Sequence, residues 1–337
     1  MKRERIKKKV ELPLNDPIFS TYHHQGSGTA ILCENPSIRN WYLNEAVLLR
    51  CTKKFLNGFT SPEVNIVKSA WNDNPYLDKE RYGMHFTKGY VDQIIRDLLD
   101  NGFYVYFIDV DDYYIDGKSW YQEKHNGHDG LICGYDDEAG TYSIYAYDTN
   151  WVYRVFQTPQ KAFEKGCEAM EEQGVYGRIC GIKAKNTQVD FDLVKVCRRL
   201  RGYLDISPKE DYLSDDNTVM GIAVLDYIAL YVDKLYTGSI PYERMDRRVF
   251  RVIWEHRRAM LERLQKAEEI LMVDCDCSRA YEQLVSEANT MRMLYASHHM
   301  KRRDSVLPVL KKKLTAQKEV EQEILWRFLK KAEEVNS

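Results

Sequence analysis

The order of periodicities along this chain predicts an α+β fold, with a mostly antiparallel sheet in the first half and helices in the second. Three observations carry that expectation. Apolar residues at helical spacing dominate up to about residue 101. From 103 they give way to short aromatic and β-branched runs separated by turn residues. Beyond 186 the strand signal fades and helical periodicity continues to the end. A boundary near 186 follows, dividing the chain into domains 1–186 and 187–337.

Residues 10–24, with Pro13 and Pro17, read as an extended lead-in, and Ser27–Cys33 as a short apolar helix stopped by Asn35-Pro36. Ser37 caps a helix over 38–52, on which Ile38, Trp41, Tyr42, Ala46 and Leu49 share a face. A loop-rich stretch covers 57–87, and a further helix covers 88–101, stopped by Gly102. Strands follow at 103–110, 112–121, 128–135, 142–148 and 151–156, then a helix from Pro159 to 171 and a strand over 175–185. The second half reads as helices near 190–202, 217–236, 242–273, 279–300 and 305–334, a helical bundle.

The 337 residues are 44% hydrophobic and 30% charged, enough for one large or two modest cores. The formal net charge of −2 argues against nucleic acid as the main partner. No window holds eighteen consecutive apolar residues, so no membrane span is expected. The N-terminal Met-Lys-Arg-Glu-Arg-Ile-Lys-Lys-Lys lacks the apolar core of an export signal, and the eight cysteines follow no disulfide framework. Together these point to a cytoplasmic protein with reduced thiols. Oligomerisation stays open.

Chemistry concentrates in Gly127-His-Asp-Gly-Leu-Ile-Cys-Gly-Tyr-Asp136 and Thr141-Tyr-Ser-Ile-Tyr-Ala-Tyr-Asp-Thr-Asn-Trp151. A histidine opens one strand and a carboxylate closes the next. An antiparallel hairpin turning at 136–140 places the start of the first beside the end of the second. His128 and Asp148 are therefore the expected base and orienting carboxylate of a nucleophilic triad. As a lone pair they would read as a loop histidine and a turn residue; the glycines around His128 and the Asn-Trp after Asp148 favour chemistry.

This arrangement resembles papain-like and C39-like cysteine peptidases, and more closely the butirosin-pathway acyltransferase family, over roughly residues 20–185. That family carries its cysteine at the start of the first helix in a His-Cys-Gly-Ser-Thr-Ala-Leu-like motif. Here the chain reads His24-Gln-Gly-Ser-Gly-Thr-Ala-Ile-Leu32, which aligns Ser27 with the cysteine. Three readings compete for Ser27: a natural nucleophile, a pseudoenzyme, or an inactivating Cys→Ser variant, with the intact surroundings favouring the last. A plain helix N-cap is compatible with all three. By the same resemblance Gln25 would supply an amide to an oxyanion hole, and His23 and His24 would flank the substrate channel, although loop roles serve each as well. Cys33, at the far end of the short helix, is the rival nucleophile in a position where the helix dipole disfavours a thiolate.

The resemblance implies a papain-like domain that moves an acyl group from a carrier-protein thioester, through an enzyme thioester, to a small amine such as a diamine, in nonribosomal-peptide or antibiotic biosynthesis. An acyl or peptidyl carrier protein is the implied partner, its phosphopantetheine thioester the donor. No other cofactor is expected, and the absent Gly-rich phosphate loop fits a donor that is already activated. A cysteine peptidase or amidase using water is the alternative, and a non-catalytic binding protein the third. Cys275-Asp-Cys277 with His298-His299 lacks zinc-site spacing, so no metal is expected. Asp109-Val-Asp-Asp112 lacks the glycine and closing Glu of a calcium loop, and the basic pairs Arg247-Arg248 and Arg257-Arg258 read as solvated helix faces.

Overall fold

A computed structural model describes residues 8–58, 61–87, 89–205, 217–272 and 276–336. Pro208, Cys275 and the charged stretch before Lys8 lie outside the described residues. In chain order the elements are β1 (Lys9–Glu11), α1 (His23–Ala30), α2 (Arg39–Glu45), β2 (Leu49–Thr52), β3 (Asn65–Ile66), β4 (Leu77–Gly83) and α3 (Val91–Asp100). Strands β5 (Tyr104–Asp111), β6 (Gly127–Asp136), β7 (Thr141–Tyr147) and β8 (Tyr153–Pro159) precede α4 (Gln160–Glu172) and β9 (Arg178–Ala184). Then come α5 (Leu193–Leu204), β10 (Thr218–Met220), α6 (Val224–Tyr236), α7 (Val249–Leu271), α8 (Cys277–Lys301) and α9 (Val306–Asn336). The fold is α+β with antiparallel sheets and a helical C-terminal region. Among the described residues no helix is long and apolar enough to cross a membrane.

Two compact units form. One runs through Ile38 and resumes over Ala70–Gln188; the other takes Arg39–Ser69 and the chain from Val189 on. The first unit is a sheet ordered β4-β9-β5-β6-β7-β8, with β1 added to the end of β6 that β5 leaves unpaired. Every neighbouring pair is antiparallel. Alternation along the strands gives the sheet two faces. Val105, Phe107, Ile132, Ile144 and Ala146 pack with Ile95 and Leu99 of α3 and Phe163 of α4. Tyr106 is not part of that cluster; its ring meets Trp71 at 5.4 Å and its hydroxyl donates to Asp129 at 2.7 Å.

One irregularity matters for the site. Phe107 pairs with Gly130 but Val110 with His128, so β5 carries one extra residue between them, and Asp109 takes a left-handed φ of 59° there. A one-residue slip reverses which face each side chain takes. Val110 thus enters the same core as Phe107, and the strand delivers Asp111 and Asp112 at its end.

In the second unit α6, α7, α8 and α9 bury Ile228, Val232, Ile253, Met260, Tyr281, Met291, Leu310 and Leu325. Residues 39–69, expected in the first domain, belong here, for reasons visible in their bonds. Glu45 collects Lys68, Lys195 and Arg199 at 3.2, 3.0 and 2.8 Å. Burial pushes its carboxyl up, yet those cations prevail and hold it at about 2. The fully buried Arg263 of α7 donates to the carbonyls of Leu43 (2.5 Å) and Ala46 (3.1 Å), closing the C-terminal end of α2.

Other expectations need correction. The helix expected over 38–52 stops at Glu45, and 49–52 is a strand paired with 218–220, inside the helix expected at 217–236. Residues 77–83 form β4, which its run of charges (Asp78, Lys79, Glu80, Arg81) conceals; it is an edge strand wet on one side. Residues 112–121 form a short 3-10 turn and loop instead of a strand.

Candidate functional site

Helix α1 opens at His23 with Tyr22 as its N-cap, so Ser27 is its fifth residue. That overturns the expectation that Ser27 sits at the free N–H groups of a helix start. The first-turn positions belong to His23, His24 and Gln25. Ser27 is fully buried, and its hydroxyl donates to the His23 carbonyl at 2.8 Å, the back-bond common for serine inside helices. Gln25 is fully buried beside it, and His24 is half-buried with its ring stacked on Tyr22 at 5.4 Å. Gly26 lets the helix approach β8: a Cβ there would lie 2.7 Å from the Tyr153 hydroxyl.

The β6–β7 hairpin has the anticipated pairing near its open end. Leu131 faces Tyr145 and Ile132 faces Ile144, the register that extrapolates to His128 beside Asp148. The two side chains nevertheless do not meet. Asp148 Oδ1 accepts from the amides of Asn150 (2.8 Å) and Val152 (2.9 Å), and Oδ2 from Arg154 Nε at 2.5 Å. Burial raises this carboxyl's pKa, but the two amides and Arg154 outweigh it and hold the group below the usual range. Asp148 therefore closes the β7–β8 turn, and the imidazole of His128 looks elsewhere.

Its partner is Asp112, which sequence reasoning missed. His128 Nδ1 lies 3.1 Å from Asp112 Oδ2, with the carboxylate side chain 3% exposed and the imidazole 42% exposed. Lys118, from the following loop, is buried against the same ring, its Nζ 3.4 Å from His128 Nδ1 and 3.0 Å from the Asp129 carbonyl. On its other side His128 meets the ring of His23 edge-on, with centroids 4.9 Å apart. His23 is buried and its Nε2 accepts the Tyr147 amide at 3.3 Å. Burial, then the charges of Lys118 and His128, push the His23 pKa well below the ordinary value, so this ring is neutral at pH 7.

A second imidazole–carboxylate pair stands next to the first. His125 Nδ1 lies 2.7 Å from the fully buried Asp111, and Tyr113 stacks on the His125 ring at 4.3 Å. Asp111 also accepts from the amides of Tyr113 and Asn126, tying together the two ends of the 112–126 loop. The one hint available beforehand was the Asp109-Val-Asp-Asp112 run. β6 pairs with β5 and β7 as well as β1, and nothing in the pattern says whether the acid comes from β5 or β7.

Cys33 is half-buried and its thiol is pushed up, chiefly by burial, which disfavours a thiolate. Among the described residues no group of three or more His, Cys, Asp and Glu is placed to hold a metal ion. Arg257, expected on a solvated face, is 1% exposed and paired with Glu321 at 3.1 Å. Compared with known proteins, the chain matches no family model and no curated sequence. Chemically, a half-exposed imidazole anchored at one nitrogen by a buried carboxylate can exchange a proton at its other nitrogen.

Proposed function

We propose that the first unit transfers an acyl group from a carrier-protein thioester to a small amine, with His128 as general base and Asp112 as its orienting carboxylate. The observation that supports this reading is the 3.1 Å contact of His128 Nδ1 with buried Asp112 Oδ2 beneath a ring that is open to solvent. In the reaction the amine nitrogen attacks the thioester carbonyl while His128 takes its proton; the C–S bond then breaks and the proton passes to the departing thiolate. The products are an amide and the free carrier thiol. Direct attack differs from the covalent route that the family resemblance implies, and the buried, back-bonded hydroxyl of Ser27 favours it. The carrier partner, the pathway and a cytoplasmic setting belong to the same proposal.

The test is an acyl-pantetheine thioester incubated with and without a diamine, with products read by mass spectrometry. Amide formation that falls about 10³–10⁴-fold in His128→Ala and Asp112→Asn, yet persists in Ser27→Ala, supports the reading. Acid as the sole product would make the chain a hydrolase. An acyl-enzyme trapped in Ser27→Cys, with Ser27→Ala inactive, would restore the covalent route. A second reading, a binding protein without catalysis, is favoured by the same burial of Ser27, and absence of any turnover by the unmodified protein would select it.

A further inference from the structure

Lys118 has no part in the reaction as described, yet it is the ammonium buried deepest against the site. Its side chain is 2% exposed, in a unit where a lone buried charge would be strongly destabilising. We propose that Lys118 is a positioning residue that fixes which ring nitrogen of His128 carries the proton, and so keeps the outward nitrogen available as the base. The proposal rests on the reading of His128 as the base.

Three distances carry it. Lys118 Nζ donates to the Asp129 carbonyl at 3.0 Å, lies 3.7 Å from Asp112 Oδ1 and 3.4 Å from His128 Nδ1. Asp112 Oδ1 is buried and takes no hydrogen bond among the described residues, so this ammonium is what balances that end of the carboxylate. The other oxygen, Oδ2, is left to His128. Nδ1 of a neutral imidazole cannot both donate to Asp112 and accept from Lys118. The shorter contact and the ammonium's two oxygen partners assign the proton to Nδ1, donating to Asp112. Nε2 then carries the lone pair. Burial lowers the Lys118 pKa, while Asp112 and Asp129 act to raise it.

The loop is built to hold this lysine still. Its ends are fastened by Asp111 to the amides of Tyr113 and Asn126. Within it the Lys118 amide donates to Ile115 at 3.1 Å, and the Ser119 hydroxyl to the Asp148 carbonyl at 3.3 Å. The groups that face His128 are Asp112 and Lys118 from this loop and His23 from α1.

The test is ¹⁵N NMR of the histidine rings in the full chain, comparing the unmodified protein with Lys118→Met and Lys118→Gln. His128 is assigned by the signal that His128→Gln removes. The expected spectrum shows His128 protonated at Nδ1 with a bare Nε2 in the unmodified protein, and both variants averaging the two nitrogens towards a mixed tautomer. Amide formation should fall about ten- to hundredfold in kcat with KM unchanged. A spectrum unchanged in the variants, or a proton found on Nε2 in the unmodified protein, overturns the proposal. Should Lys118→Met not fold, Lys118→Gln, which keeps a donor for the Asp129 carbonyl, decides. Altered ring nitrogens in a protein without acyl-transfer activity would support the role of Lys118 while removing the proposed function.

Discussion

Both units bury carboxylates among polar partners, but they enclose them differently. In the helical unit Glu321 is fully buried and everything around it is buried too. Tyr281 donates to it at 2.5 Å, Tyr203 at 3.2 Å, and Arg257 pairs with it at 3.1 Å before reaching Gln317. In the sheet unit the buried Asp111 and Asp112 each hold a histidine whose side chain is 50% or 42% exposed. A closed network has no proton to exchange with solvent and serves to define one packing of helices. A half-open pair can pass protons outward. The lesson is that burial of the acid is shared, and exposure of its partner separates scaffold from chemistry.

Breaking the closed network should have the largest effect. Arg257→Met strands the Glu321 charge and is expected to cost about 3–5 kcal/mol, read as a shift in the urea midpoint. Next is acid sensitivity of the same unit. Burial is the main cause that lowers His256 to about 4, against smaller upward pushes from Glu321 and the Val47 carbonyl, to which its Nε2 donates at 2.7 Å. The folded form therefore binds this proton more weakly than the unfolded chain does. Its contribution is complete above pH 6.5 and declines as pH falls from 6.5 to 4, by up to about 3 kcal/mol. Urea midpoints at pH 7 and pH 4.5 should differ less in His256→Gln than in the unmodified protein.

The half-open pair should behave in the opposite way. His128→Gln, which leaves Asp112 its buried partner Lys118, is expected to cost about 1–2 kcal/mol of stability, well below Arg257→Met, while removing the activity proposed for the site. An equal loss in both would erase the distinction between the two networks. Ser27→Ala removes one buried back-bond and should cost only about 1 kcal/mol in the urea midpoint. Smallest is Arg154→Ala. Its partner Asp148 keeps two backbone amides and the arginine side chain is 59% exposed, so about 0.5 kcal/mol is expected and the thermal midpoint should barely move.

Much of the sheet was legible in the chain. The aromatic and β-branched runs mark β5 to β9 closely, and the turn at 136–140 yields the pairing of Leu131 with Tyr145 and Ile132 with Ile144. The site was legible in its base alone. Register placed His128 and Asp148 as neighbours along the backbone, but where an aspartate points depends on competing donors, here two turn amides and Arg154. The bulge at Asp109 that delivers Asp112 puts a non-glycine residue at positive φ, which no local signal announces. Lys118, on a polar loop, resembles any solvated lysine until the fold closes over it. The start of α1 was misplaced by four residues because its first turn, His23 to Gly26, carries no helical apolar pattern.

The discontinuity of the helical unit also has a consequence in time. Trp41, Tyr42, Leu43, Val47, Leu48 and Leu49 leave the ribosome well before the chain that completes their unit, which begins only at Val189. The 119 residues between 69 and 189 take roughly 6–24 s to synthesise at typical elongation rates. At the end of that interval, once β9 is made, the sheet unit can close from its own residues, whereas an apolar segment still waits for a partner not yet made. Nascent chains held at residue 188 should therefore engage chaperones through 39–69, and release should come as α5 and the later helices appear.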